Sequence, residues 1–426
     1  MNPSVTRTQD VGSPGRSLFG FYPLMNSAER SVFWGCAAGW AMDGMDFMLY
    51  PLVIGTITQI WNVSGTAAGS AVTVTLICSA MGGWLAGYLA DRIGRLTTLR
   101  ITILWFSFFS VACAFAQNFP QLIAARALLG FGFGGEWTAG AVLIGETVRA
   151  EYRGRAVGAV QAGYSVGWGM AVGLQVLLFS LFPASQAWRY MFAVGGVPAL
   201  LTFTILRSAK EPALAVNERK KQVADGYRPS IWEIFGSRWR TTVLASLMLT
   251  GAQGGYYAMT TWLPRYLTTE RHLSTVGSSA YLGTLIFGAF VGFMVCAWLA
   301  DLIGRRRLFV AFSIGAIITV VTYLQAPIPD AVTGILGFPL GFFSSGFFAA
   351  LGPFLSEIFP TRLRGSGQGF CYNFGRGVGA FFPAIVGALS TVTSLANAIT
   401  ALAVFAYTLF LVTSLAFPET AGKDLE

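Results

Sequence analysis

Twelve apolar stretches, each long enough to cross a lipid bilayer, run through this 426-residue chain, and almost all of its charge falls in the gaps between them. A membrane-spanning helix needs about 20 predominantly apolar residues. In hydrocarbon every backbone N–H and C=O must be paired internally, and for stretches of this length a helix does that. The pattern predicts an all-α membrane protein with spans at about 32–58, 67–90, 98–117, 120–147, 155–182, 188–207, 241–267, 277–300, 308–325, 331–357, 366–390 and 394–417. Charged residues are only 11% of the chain, against about 25% in soluble domains. The 51 glycines lie mostly inside the spans, where small residues let helices approach closely.

The placement of the basic residues orients the chain. With the amino terminus in the cytoplasm, all but five of the 28 Lys and Arg fall in inner loops and tails; Arg189, Arg265 and Arg271 lie outside, and Arg126 and Arg376 lie within spans. This is the positive-inside bias, and it predicts a multi-pass protein of the plasma (inner) membrane with both termini cytoplasmic. It accounts for the net charge of +9 without nucleic acid, for which no clustered basic patch is seen. Residues 1–30 read as a polar tail without a cleavable signal. Cys36, Cys78, Cys113, Cys296 and Cys371 all fall in apolar spans without metal-ligand or redox spacing. His272, the only histidine, falls in an outer loop. No metal, no cofactor other than protons as a coupling ion, and no enzymatic activity are expected. Gly163-Tyr164-Ser165-Val166-Gly167 fits the hydrolase elbow, but that motif needs a strand-turn-helix and a histidine base. Gly130, Gly132 and Gly135 fit the dinucleotide fingerprint, but no strand precedes them. Close helix packing accounts for both.

The longest polar stretch, 208–240, divides the spans six and six. It reads as a cytoplasmic linker between helical bundles at 31–207 and 241–417, with tails at 1–30 and 418–426. The halves repeat. Residues 89–95 read L-A-D-R-I-G-R and residues 299–305 read L-A-D-L-I-G-R, at corresponding positions of the two halves. A second echo pairs Glu146 and Arg153-Gly154 with Glu357 and Arg364-Gly365. Two copies of a six-helix unit imply a pseudo-twofold arrangement with a cavity between them.

Gly87-Tyr88-Leu89-Ala90-Asp91-Arg92-Ile93-Gly94-Arg95 resembles the signature loop of the major facilitator superfamily, and Asp301, Gly304 and Arg305 stand in its degenerate second copy. The resemblance implies a twelve-helix, two-bundle fold in which Gly87, Asp91, Arg92, Gly94, Arg95, Glu146, Arg153, Asp301, Gly304, Arg305, Glu357 and Arg364 form an inner-face conformational latch. Arg126-x-x-x-Gly130, Glu357-Ile358-Phe359-Pro360-Thr361-Arg362 and Pro418-Glu419-Thr420 look like the sugar-porter branch. Asp43-Gly44-Met45-Asp46-Phe47 looks like the D-G-x-D segment of organic-anion/proton symporters, Gly132-Phe133-Gly134-Gly135-Glu136-Trp137 is similar to their sialate or lactate group, and Asn373-Phe374-Gly375-Arg376 resembles their aromatic-acid group. The resemblance implies a monomeric secondary transporter that takes up a small organic anion with protons. A sugar or polyol symporter on the same scaffold is the alternative; a drug/metabolite antiporter fits less well, since the fifth span has no proline.

Ionisable residues at membrane depth are costly and mark pathways for ions or substrate. Asp43, Asp46, Arg126, Glu136 and Arg376 are such residues. Asp43 and Asp46 are three apart, hence on one side of the first span. Burial and mutual repulsion favour the neutral form of neighbouring carboxyls, while an approaching arginine favours the charged form. In sugar-porter relatives the Asp and Arg matching Asp46 and Arg126 couple proton to cargo; a static ion pair bracing two helices is the other reading. Glu136 is a second proton site, a gate or a structurally partnered acid. Arg376 either binds a substrate carboxylate, for which a guanidinium has the matching fork, or gates the inner face. Gln161, Tyr164, Gln253, Tyr256, Tyr257, Tyr372 and Asn373 are further candidates to line the cavity.

Overall fold

The computed structural model describes residues 22–147, 153–197, 199–200, 233–236, 238–359 and 364–420. The six spans of the first half are α1 (Ser27–Ile60), α2 (Gly65–Ile93), α3 (Arg95–Ala114), α4 (Phe119–Thr147), α5 (Arg153–Leu181) and α6 (Ala184–Val194). A short helix, α7 (Glu233–Gly236), precedes the second half. There α8 (Trp239–Thr269), α9 (Thr275–Ile303) and α10 (Arg305–Gln325) are single helices. The fourth span is α11 (Asp330–Gly346) followed by α12 (Phe348–Ile358), and the fifth is α13 (Arg364–Gly379) followed by α14 (Phe381–Leu389). The sixth is α15 (Leu395–Ala416). Eleven of the twelve spans read from hydropathy are helices over the described residues, two of them as paired segments, and the sixth, 188–207, is helical through Val194. Most of the 208–240 linker, and the tails 1–21 and 421–426, lie outside the described residues.

Seven stretches of the described residues are long and apolar enough to cross a membrane by length and composition alone. Those in α1, α4 and α13–α14 are not among them, and these are the spans that carry Asp43, Asp46, Arg126, Glu136 and Arg376.

Local chemistry fixes the helix ends. Asn26 and Glu29 form a reciprocal capping box at the start of α1, which satisfies two otherwise unpaired N–H groups. Ser274 and Ser394 cap α9 and α15. The Glu270 carboxylate also accepts from the N–H of Leu395 and Ala396 at 2.5 and 3.2 Å, so the end of α8 is fastened to the start of α15. The two copies of the repeat turn alike. Gly94 (φ +101°) alone separates α2 from α3, and Gly304 (φ +92°) alone separates α9 from α10. That backbone region suits glycine and strains L side chains.

The halves also pack alike. In the first, α2 packs on α4, α1 on α5, and α3 on α4 and α6; in the second, α9 packs on α11, α8 on α13, and α10 on α11 and α15. The α2–α4 seam is made by Gly82 against the Phe131 carbonyl, Gly130 against that of Thr75 and Gly134 against that of Ser79. The α9–α11 seam repeats the device with Gly288 against Phe338 and Gly341 against Leu285. Gly163 and Gly167 lie against the Ala37 and Ala41 carbonyls of α1, so the apparent hydrolase motif is a helix-packing face. Between halves, α5 meets α9, α2 meets α13 and α14, and α1 meets α8.

Substituting Gly134 by Leu drives a side chain into the Ser79 carbonyl. Overpacking of this kind costs about 1–3 kcal/mol, and we expect a clear loss of thermal stability in detergent. Gly173 on α5 has open space at the corresponding point, and Gly173→Ala should gain about 0.5–1 kcal/mol from helix propensity. Melting curves followed by size-exclusion chromatography check both signs.

Candidate functional site

A small cavity of about 40 Å³ lies between the halves. Its walls are mostly aromatic: Trp40 and Phe47 from α1, Phe133 from α4, Tyr164 from α5, Tyr256 and Tyr257 from α8, Phe293 from α9, Phe348 from α12 and Tyr372 from α13. Gln161 and Arg376 complete the lining. Phe47 stacks on Phe133 with centroids 5.4 Å apart and tilts against Tyr257 at 5.8 Å, so three helices close one end with rings. Tyr164 meets Tyr256 edge-on at 6.4 Å, and Tyr256 meets Phe348 at 5.4 Å.

Arg376 is the cation of this cavity. It is 2% exposed, and its guanidinium carbon stands 5.1 Å from the Tyr372 ring centroid and 5.3 Å from that of Phe133. Its Nη1 donates to Ser79 Oγ of α2 at 2.9 Å, a bond from one half to the other. Its Nε has no acceptor among the described residues. Rings on either side hold the guanidinium through cation–π attraction, and the Tyr257 and Tyr372 hydroxyls lie within hydrogen-bonding range of it.

Asp43 and Asp46 are both fully buried, and the 60° between positions three apart on a helix sends them to different neighbours. Asp43 faces α4, where its carboxyl meets that of Glu136 at hydrogen-bonding range. Neither oxygen of Asp43 accepts from a donor among the described residues. Two carboxyl groups in that position need a proton between them, since carboxylates only accept. Glu136 also lies against Gly39, one turn before Asp43, and Arg376 acts electrostatically on both acids. Asp46 instead faces α3 and α6. It accepts from the Ser110 hydroxyl, which also lies 3.3 Å from the Phe192 carbonyl, and Gly195 gives it room.

Arg126 is fully buried with its guanidinium 4.6 Å from the Tyr50 ring centroid and 5.9 Å from that of Phe192. It exerts a Coulombic pull on Asp46, yet among the described residues no ion pair within 4.0 Å joins them. Ser110 holds the acid and Tyr50 the base.

Of the other sequence candidates, Gln161, Tyr164, Tyr256, Tyr257, Tyr372 and Arg376 line the cavity. Gln253 and Asn373 are not in the lining. Gln253 braces the wall from behind, donating to the Tyr372 carbonyl at 2.9 Å and accepting from Tyr257 at 3.1 Å. Asn373 fits against Gly83 of α2. Sequence reasoning missed Trp40, Phe47, Phe133, Phe293 and Phe348. The helical spacing of Trp40, Asp43 and Phe47 marks one face of α1, but an aromatic residue in an apolar span gives no contrast.

Of the latch candidates, the side chains of Asp91, Arg92, Arg95, Glu146, Arg153, Asp301 and Arg364, and Gly87, lie outside the described residues. The second-half cluster is seen. Arg305 pairs with Glu357 at 3.0 Å, and Thr420 Oγ1 donates to the other Glu357 oxygen at 2.6 Å. Glu419 accepts from the N–H of Arg305 at 2.7 Å and of Arg306 at 3.2 Å. Its charge sits at the positive end of α10. The Pro418-Glu419-Thr420 motif flagged this segment, though not the capping role.

An all-helical fold of twelve spans, with a buried cation and acids beside a cavity at the seam of two like bundles, is that of a membrane carrier. The chain belongs to the Major Facilitator Superfamily, whose family model matches residues 36–338. It is 39% identical to a probable 4-methylmuconolactone transporter of Cupriavidus pinatubonensis, over 96% of this chain and 95% of that protein. It is 28% identical to a niacin transporter of Acinetobacter baylyi, over 84% and 86% of the two chains. The fold superposes on the proton:xylose symporter XylE with a TM-score of 0.74 at 19% identity, covering 94% of this chain and 98% of that one.

Arg305 and Glu357 are coupled in a nearly dry setting. A double-mutant cycle of Arg305→Ala and Glu357→Ala should return an interaction of about 0.5–3 kcal/mol in thermal unfolding. A value near zero would remove the pair from the latch.

Proposed function

We propose that this transporter takes up a small organic acid together with protons, by alternating access of the bundles 31–207 and 241–417 to the two sides of the plasma (inner) membrane. It works as a monomer with both termini cytoplasmic. The observation that carries the reading is one guanidinium, Arg376, set in an aromatic cavity next to the carboxyl pair Asp43 and Glu136. A flat or unsaturated acid has what those walls favour: apolar faces for the rings and a carboxylate for the fork of Arg376. The names of the relatives, one for 4-methylmuconolactone and one for niacin, fit such a cargo.

Coupling follows from competition for Arg376. When the Asp43–Glu136 pair is ionised, it engages the Arg376 charge and repels an incoming carboxylate. A proton on the pair frees Arg376 for the substrate. Proton and substrate therefore favour each other's binding, and by linkage the effect is reciprocal. Acid outside loads the site, and the less acidic interior empties it. Asp46 and Arg126 form a second element, apart here, whose approach and separation accompany the switch between states.

The test is uptake into proteoliposomes under an imposed pH gradient, with labelled nicotinate, benzoate, cis,cis-muconate and lactate beside xylose as the sugar control. Uptake of at least one acid should rise as the outside is acidified and collapse with a protonophore. Asp43→Asn mimics the protonated state, so exchange should persist while concentrative, pH-dependent uptake is lost; Asp46→Asn should likewise abolish accumulation. Arg376→Ala should lower apparent affinity about tenfold or more, the worth of a charge-assisted hydrogen bond of about 1.5–3 kcal/mol. Xylose uptake without acid uptake, or unimpaired accumulation by Asp43→Asn, refutes the reading.

A further inference from the structure

Four buried guanidinium nitrogens with no acceptor among the described residues lie just beyond the ring-closed end of the cavity. Arg126 contributes Nε, Nη1 and Nη2, and Arg265 contributes Nη1. Arg126 comes from α4 of the first half and Arg265 from the last turns of α8 in the second. Both bear on Tyr50 of α1. The Arg126 guanidinium is 4.6 Å from its ring centroid, and Arg265 is close enough to act electrostatically on the same phenol. Trp262 steadies Arg265 at 5.5 Å. The Tyr50 hydroxyl donates to the Ala68 carbonyl at 2.9 Å, which fixes the ring.

Three helices agree on the position. Along α1 the chain passes from Phe47 to Tyr50 on its way to Ile60; along α8 it passes from Tyr257 to Arg265 near Thr269; along α4, Arg126 precedes Phe133. The arginines therefore stand on the far side of the Phe47–Phe133–Tyr257 rings from the cavity. Rings offset part of the charge but accept no strong hydrogen bond. The carboxylate that acts on Arg126, Asp46, is bound to Ser110 and lies beyond ion-pair distance. Among the described residues the two cations thus face at most one anion; Arg126 is fully buried and Arg265 half-buried, and a buried guanidinium nitrogen without an acceptor is costly.

We propose that Arg126 and Arg265, arranged about Tyr50, form a second anion site, separate from Arg376, that receives a small carboxylate before the rings part and admit it to the cavity. Two guanidinium forks from opposite bundles are suited to the paired oxygens of a carboxylate. Because one comes from each half, the site comes apart as the halves separate at this end, and the anion is released toward Arg376. Only the last step rests on the proposed function; binding of an anion at the arginines does not.

The test has two arms. Crystals of the full chain soaked in sodium bromide should show an anomalous peak within hydrogen-bonding range of both guanidinium groups, and Arg265→Gln should abolish it while Arg265→Lys retains it. No peak there, or one undiminished in Arg265→Gln, overturns the site. In the second arm, Arg265→Gln should raise the half-saturating external concentration of the transported acid about tenfold with the maximal rate unchanged, and Arg265→Lys should stay near the parent. A fall in maximal rate at unchanged half-saturation overturns the docking role. Should no acid in the panel be carried, the proposed function fails, and the bromide arm still decides the site.

Discussion

The structure turns on the cost of leaving a charge unpaired where water is scarce. A carboxylate or guanidinium at membrane depth must find a partner, a proton or a ligand. The Asp43–Glu136 pair has one guanidinium within its field, and that guanidinium also faces the cavity and bonds Ser79 across the seam. Three demands, from acid pair, cargo and opposite bundle, meet on Arg376. A change in any one alters the other two, which is the property a coupled carrier needs.

The scaffold supplies rigidity around that point. Glycine seams bring backbone against backbone in both halves, so the spans behave as packed units while the contacts between bundles are the ones free to change. The bundles meet through a few helix pairs, and the cavity opens at that junction. The ring-on-ring closure by Phe47, Phe133 and Tyr257 uses side chains from both halves. Such a closure parts when the bundles rotate and needs no bond to break.

The fold was legible because hydropathy and helix length answer to the same bilayer thickness. The spans that the described residues cover, the repeat around Gly94 and Gly304, and the buried ionisable residues could be read from residue order. The site was legible only in outline. Position along α1 puts Asp43 and Asp46 close together, but which neighbour each meets depends on how α4 and α6 pack, and the sequence has no marker for that. The Ser110 bond to Asp46 and the Ser79 bond to Arg376 join residues 64 and 297 positions apart. No local period records them. The aromatic lining was hidden for another reason: Phe133 and Phe293 look like every other apolar residue of a span until the cavity shows which of them it touches.

The Glu419 carboxylate on the first turn of α10 gives the carboxyl-terminal segment a structural duty. Together with Thr420 on Glu357, it clasps the ends of α9–α10, α12 and α15 into one corner. Trimming the chain after Phe417, or fusing a bulky partner directly onto Thr420, would unfasten that corner from a position remote from the cavity.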